Sequence, residues 1–201
     1  MVKTLILLMI VLSFLVVSCG VEDEDNSCVN EDEERIVPCS TDISKEQKQV
    51  CQEGIWVDEG PCLCKAGETF CLSHKGLNWS NVSSEEMVWD DAIEYCKDIG
   101  GHLPTISELR TLIINCPQTE TGGECRISDD RCLSEDDCLD EFCRGCLSDE
   151  ITEFSVLGDE IWLYSFSELS NFTSLHWGVD FKNGQILYGS KGGEAYFRCV
   201  K

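Results

Sequence analysis

Cysteine is the residue that most limits what this chain can fold into. There are fifteen in 201 residues, and they fall in groups. Cys28, Cys39, Cys51 and Cys62 are spaced by 11, 12 and 11. Cys64 and Cys71 flank a glycine-containing turn, so a local bridge between them is expected. Cys96 and Cys116 sit in two helical patterns. Cys125, Cys132, Cys138, Cys143 and Cys146 crowd one acidic stretch, and Cys199 lies near the last residue. If Cys19 is set aside, the remaining number is even. In an exported chain that density implies disulfides, whose connectivity the counts leave open.

Export is what the N-terminal residues indicate. The stretch "MVKTLILLMIVLSFLVVSCG" has one early lysine, an apolar run from Leu5 to Leu12 that resumes after Ser13, and small residues before Cys19. This reads as a secretory signal over 1–18. Cysteine directly after Val-Val-Ser looks like a bacterial lipobox. That likeness implies cleavage before Cys19 and acylation of it, hence a lipid anchor. Gly20 lacks the aspartate that retains such lipoproteins at the inner membrane, so an outer-membrane lipoprotein at the cell surface is expected. Nothing further along is apolar enough for a span of about 20 residues. Residues 19–34 would be a lipidated acidic tether, because 20–34 carry eight acids and no base and such runs stay solvated.

The formal net charge is −23. It argues against nucleic acid, anionic lipid and sulfated glycans as direct partners, each being a polyanion. Cationic partners and divalent ions remain compatible with it.

Residues 28–62 have too little apolar material for a core of their own, so bridges among their four cysteines should supply the order of a small module. The pattern from Gln47 to Trp56 resembles small repeats that precede adhesion-type domains in exported bacterial proteins.

The rest, 64–201, reads as one α+β head: two helices, then strands. Ser83–Glu86 has the spacing of a capping box, predicting a helix start there. Trp89, Ala92, Ile93, Cys96 and Ile99 then share one helical face, and Gly100-Gly101 stops it. Thr105–Glu108 is a second capping box. Leu109, Leu112, Ile113 and Cys116 repeat the buried spacing, predicting a second helix. Residues 117–150 read as an irregular Cys-rich insertion, where with Cys116 there are six cysteines, enough for three bridges among themselves. Strand patterns follow at Ile161–Tyr164 and around Trp177, Val179 and Phe181, with a hairpin turn at Asn183-Gly184. In a last strand Ala195, Phe197 and Cys199 share a face, so Cys199 can point into the core and meet Cys96.

The pieces "MVWDDAIEYC", "LPTISELRTLI", "NCP", "TGGEC", "WLYS", "HWGVDFKNG" and "FRCVK" occur in the order of the Lcl C-terminal domain family of exported bacterial proteins, and 70–201 resembles that family. The resemblance implies a C-type-lectin-like fold with a small twisted antiparallel sheet and a first-helix cysteine bridged to the last strand, here Cys96 to Cys199. It also implies a binding role without catalysis, for a protein or a glycan. The family's better-known member binds sulfated glycans, a ligand the acidity here disfavours.

Trp162, Tyr164, His176, Trp177, Tyr188 and Tyr196 are candidates for a ligand face, though strand alternation must bury half of them. The Glu-Pro-Asn or Gln-Pro-Asp loop of calcium-dependent sugar binding is missing. Asp129, Asp130, Glu135, Asp136, Asp137, Asp140 and Glu141 have the oxygens calcium needs but not EF-hand spacing, so no cofactor is expected. Cys143 and Cys146, with Cys132 and Cys138, could hold zinc; in an exported chain bridges are the stronger expectation. With His74, His102 and His176 as the only histidines and no nucleophile-elbow motif, no hydrolase is expected. The alternatives are an envelope structural protein facing the periplasm, and a metal-dependent enzyme at the cysteine cluster.

Overall fold

A computed structural model describes residues 32–38, 46–53, 55–146 and 153–201, without the side chains of 37–38 and 58–62. The expected signal, the lipidation of Cys19, most of the tether, Cys28, Cys39 and the thiol of Cys62 lie outside the described residues. Among those described, no helix is long and apolar enough to cross a membrane.

The chain is a mix of few, short helices and small antiparallel sheets. The first sheet joins β1 (Glu34–Pro38), β2 (Glu46–Gln52) and β3 (Ile55–Leu63) in sequence order. Arg35 lies over the Trp56 ring, 4.4 Å from its centroid, and donates to Gln49 Oε1 at 2.7 Å. Cys51 is buried and disulfide-bonded. The strands were not foreseen, because their residues alternate weakly and, among the described side chains there, Val50 and Cys51 are the buried ones.

Next come the hairpin β4 (Leu72–His74) and β5 (Leu77–Trp79), then β6 (Met87–Val88) and α1 (Trp89–Asp98). The box at Ser83–Glu86 does not start α1: its N-cap is Val88, with no side-chain cap. Ser83 is engaged across the fold instead. Its N–H donates to Phe197 O at 2.9 Å and its Oγ accepts from Phe197 N–H at 3.2 Å. Met87 and Val88 are held as a strand against β10 (Glu194–Ala195).

The second box is present in full. Thr105 Oγ1 accepts from Glu108 N–H, and the Glu108 carboxylate accepts from Thr105 N–H at 2.8 Å. It opens α2 (Ile106–Leu109), a single turn that tightens into a 3-10 turn at Arg110–Leu112. The longer helix predicted through Cys116 does not form. Arg110 is 3% exposed and its guanidinium donates to Thr119 O, Ile127 O and Glu120 O, drawing the following loop back over the helix end. Leu109, Leu112, Ile113 and Cys116 are nevertheless all buried. The insertion adds α3 (Glu135–Cys138).

The central sheet is β7 (Trp162–Leu169), β8 (Phe172–Asp180) and β9 (Gln185–Ser190), in that order. Asp180 pairs with Gln185, so the turn at Asn183-Gly184 is a four-residue loop. Leu163, Val179 and Ile186 form one register row on one face, above which pack Ile106, Leu109, Leu112 and the insertion. Tyr164 belongs to the opposite face, with Trp89, Ala92, Cys96, Leu103, Phe197 and Cys199. After β10 the expected last strand continues only as single bridges, at Tyr196 to Leu163 and at Val200 to Trp79 and His102.

The β7–β8 register slips between Tyr164 and Glu168. Such irregularities re-aim side chains and backbone, and here they dock both helices. Ser165 O accepts from Trp89 Nε1 at 2.9 Å, Phe166 N–H donates to Pro104 O at 2.7 Å, and Ser167 Oγ accepts from Ile106 N–H at 2.8 Å. Arg198 and Asp159 form a buried ion pair at 2.6 Å. Arg198 also donates to Ser80 O, and Asp159 accepts from Ser155 Oγ.

Candidate functional site

The six cysteines from Cys116 to Cys146 pair among themselves: Cys116 with Cys146, Cys125 with Cys143, and Cys132 with Cys138. Their Cα atoms are 5.5, 4.8 and 6.2 Å apart, all within disulfide reach. Bridges also join Cys64 to Cys71 and Cys96 to Cys199. The insertion is thus clamped on itself and then onto the sheet. Cys146 N–H donates to Asn183 O at 2.8 Å, and Gly145 lies so close that an added Cβ would come within 2.5 Å of the same oxygen. With φ at +78° as well, only glycine fits at position 145, just before Cys146. Leu133 O accepts from Trp177 Nε1 at 3.2 Å and from Ser170 N–H at 3.0 Å.

These pairings place the four proposed zinc thiols, Cys132, Cys138, Cys143 and Cys146, in three separate bridges. The acidic side chains are dispersed along the insertion. Asp129 accepts from Ser107 N–H at 2.9 Å and from Ser167 Oγ, tying the insertion to α2 and β7. Glu135 accepts from Tyr188 OH, and Asp140 accepts from Phe142 N–H at 3.1 Å. Among the described residues no three metal-ligating side chains converge.

The aromatic candidates divide three and three. Tyr164, His176 and Trp177 are fully buried, so these three are core and not ligand face as the fold stands. Trp162, Tyr188 and Tyr196 are half-buried. Strand alternation sends Trp177 to one side of β8 and His176 to the other, but α1 covers the His176 side as well. His176 lies 5.0 Å from Tyr164, 5.5 Å from Trp162 and 6.4 Å from Trp89, centroid to centroid. Burial pushes its pKa below the ordinary 6.5 and Lys191 adds to this, against hydrogen bonds to the backbone at Trp177 and Ser190. Burial likewise raises the Tyr164 phenol. The outward end of this aromatic row is Phe166, about half exposed and stacked on Trp89 at 5.6 Å, a residue the sequence pattern did not single out. Lys191 Nζ sits 3.9 Å from the centroid of the Trp89 ring and pairs with Glu168.

Arg110 was missed too. Its only signal in the sequence is a cation wedged into the otherwise buried run Leu109, Leu112, Ile113. No protein-family model, curated protein or solved structure matches this chain.

Proposed function

We propose that this chain is an exported lipoprotein, anchored through Cys19 in the outer membrane, whose head is a non-catalytic binding module for a protein or glycan at the cell surface. The observation that carries this reading is the clamped insertion. Three bridges and the Gly145 contact hold an irregular, solvent-facing segment against the β8–β9 turn. Irregular surface held rigid in advance is what recognition needs, because ordering loops on binding costs affinity. The bridge between Cys96 on α1 and Cys199 near the chain end supports the C-type-lectin-like reading and the likeness to the Lcl C-terminal domain family. The signal-like start and the even cysteine set support export.

Protease shaving of intact cells, beside lysed cells, tests it with antibody to residues 70–201. Digestion on intact cells is expected. Protection until lysis would put the head in the periplasm and move the structural role ahead.

A further inference from the structure

The loop that Arg110 draws back over its helix leaves a cavity of about 160 Å³ between α2 and residues 121–131. Ser107, Arg110, Thr121, Ser128, Asp130 and Arg131 line it. Arg110 donates three hydrogen bonds to carbonyls. A guanidinium has five donors, so two N–H remain for something else. Burial and the nearby Arg131 lower the Arg110 pKa to about 10, so it stays charged near neutral pH. The Ser128 hydroxyl, its own backbone and the two arginines hold the Asp130 carboxyl below its usual range. Two cations and one carboxylate therefore leave this cavity with one net positive charge, in a chain of net charge −23.

We propose that this cavity binds a small molecule or chain end through one carboxylate, held by Arg110 and Arg131 with the Thr121 hydroxyl. The proposal rests on the binding-module reading and gives it a ligand class. A monocarboxylate balances the local charge. Sulfate or phosphate would leave excess negative charge beside Asp130, and a polyanion would also meet the field of the whole chain. Arginine's planar fork suits a carboxylate's two oxygens. The space, about 160 Å³, opens to solvent past the exposed Thr121, Asp130 and Arg131, so it takes a head group of alanine's size, about six heavy atoms, and leaves the rest of a longer ligand free to extend outward. Two sources share this chemistry: a free small amino acid, whose ammonium would face Asp130, and the C-terminal carboxylate of a peptide.

The test is titration of the oxidised, full-length mature protein, followed by amide NMR shifts and calorimetry. Alanine, N-acetylalanine and alaninamide are the probes, with sulfate for comparison. Saturable one-to-one binding of a carboxylate probe, shifting the amides of 119–131, is expected, with no response to alaninamide. Alanine alone responding identifies the free amino acid; N-acetylalanine binding as well or better identifies a peptide end. Arg131 and Thr121 are exposed, so their variants should fold. Arg131→Gln should weaken binding by about tenfold or more, and Thr121→Glu should abolish it, while Thr121→Gln, which loses the hydroxyl but adds no charge, should weaken it far less. The proposal is overturned if neither carboxylate saturates, if sulfate binds more tightly, or if Arg131→Gln and Thr121→Glu bind as the parent does. That failure would leave the shaving result, and the surface-binding reading, untouched.

Discussion

Arg198 and Asp159 show how a single pair can decide whether this fold stands. Both are buried, and each is further bonded, to Ser80 O and Ser155 Oγ. Removing one partner leaves the other charged in a dry site, which costs about 3–5 kcal/mol. Arg198→Met should lose that much in urea unfolding. The double variant with Asp159→Leu should recover a good part of it, since replacing both charges by apolar groups removes the stranded one. A double variant no better than the single would show that the pair's bonds to Ser80 and Ser155, not the stranded charge, carry the cost. His176 makes a pH prediction. Its folded pKa lies below 6.5, so in acid the unfolded chain takes up a proton that the folded chain refuses. Stability then falls as pH drops below about 6.5, by at most about 1.4 kcal/mol per unit. Trp89 from α1, Trp162 and Tyr164 from β7 and Lys191 after β9 face the imidazole, and the one cation among them opposes protonation. The difference in unfolding free energy between the parent and His176→Phe, followed from pH 7 to pH 5, isolates the effect. A difference that does not change with pH would place the proton elsewhere.

Among the elements, Asp129 is the join between insertion, helix and sheet. Its carboxylate accepts from Ser107 N–H on α2 and from Ser167 Oγ on β7. Asp129→Ala should cost about 1–3 kcal/mol, because two partners lose a charged acceptor. Hydrogen exchange should rise first at Ser107 and along 126–131, while the β8–β9 ladder stays protected. Equal loss everywhere would mean that the insertion opens only with the whole domain. What could be read from the sequence follows the same divide between local and distant partners. The Thr105–Glu108 box was legible because all its bonds lie within four residues. The similar spacing at Ser83–Glu86 misled, because Ser83 bonds to Phe197, 114 positions away, and no local pattern carries that. The buried stripe Leu109, Leu112, Ile113, Cys116 was legible as burial but not as helix length, which Arg110's bonds to Thr119, Glu120 and Ile127 cut short. Of the aromatic candidates, alternation requires half to be buried but does not say which half. It could not tell that the second face of β8 lies under α1, so Tyr164 and His176 were counted as possible ligand contacts. The cavity at Arg110 had almost no sequence signal, since its lining comes from α2 and from a loop folded back on it.

At the scale of the whole molecule, the Cys96–Cys199 bridge closes a loop across 103 positions and ties α1 to the chain end. Constraint of the unfolded chain grows with the loop closed, to about 4–5 kcal/mol near 100 residues. The three bridges inside that loop already shorten its free length, so its removal should cost less, about 3–4 kcal/mol. The short bridge Cys132–Cys138 closes only 6 positions and, on the same reasoning, contributes the least. Double alanine variants of the two pairs therefore separate two views of the fold. If loop entropy dominates, Cys96→Ala with Cys199→Ala lowers the urea midpoint far more than Cys132→Ala with Cys138→Ala. If the bridges act mainly by holding the insertion rigid, the short pair matters more to protease resistance at 126–146 than to global unfolding. The long pair then shows the reverse, since it holds α1 over Tyr164 and Phe197 and touches none of the insertion. Equal effects of both pairs on both readouts would mean that insertion and sheet unfold as one unit, and that the insertion is part of the core and not a surface carried by it.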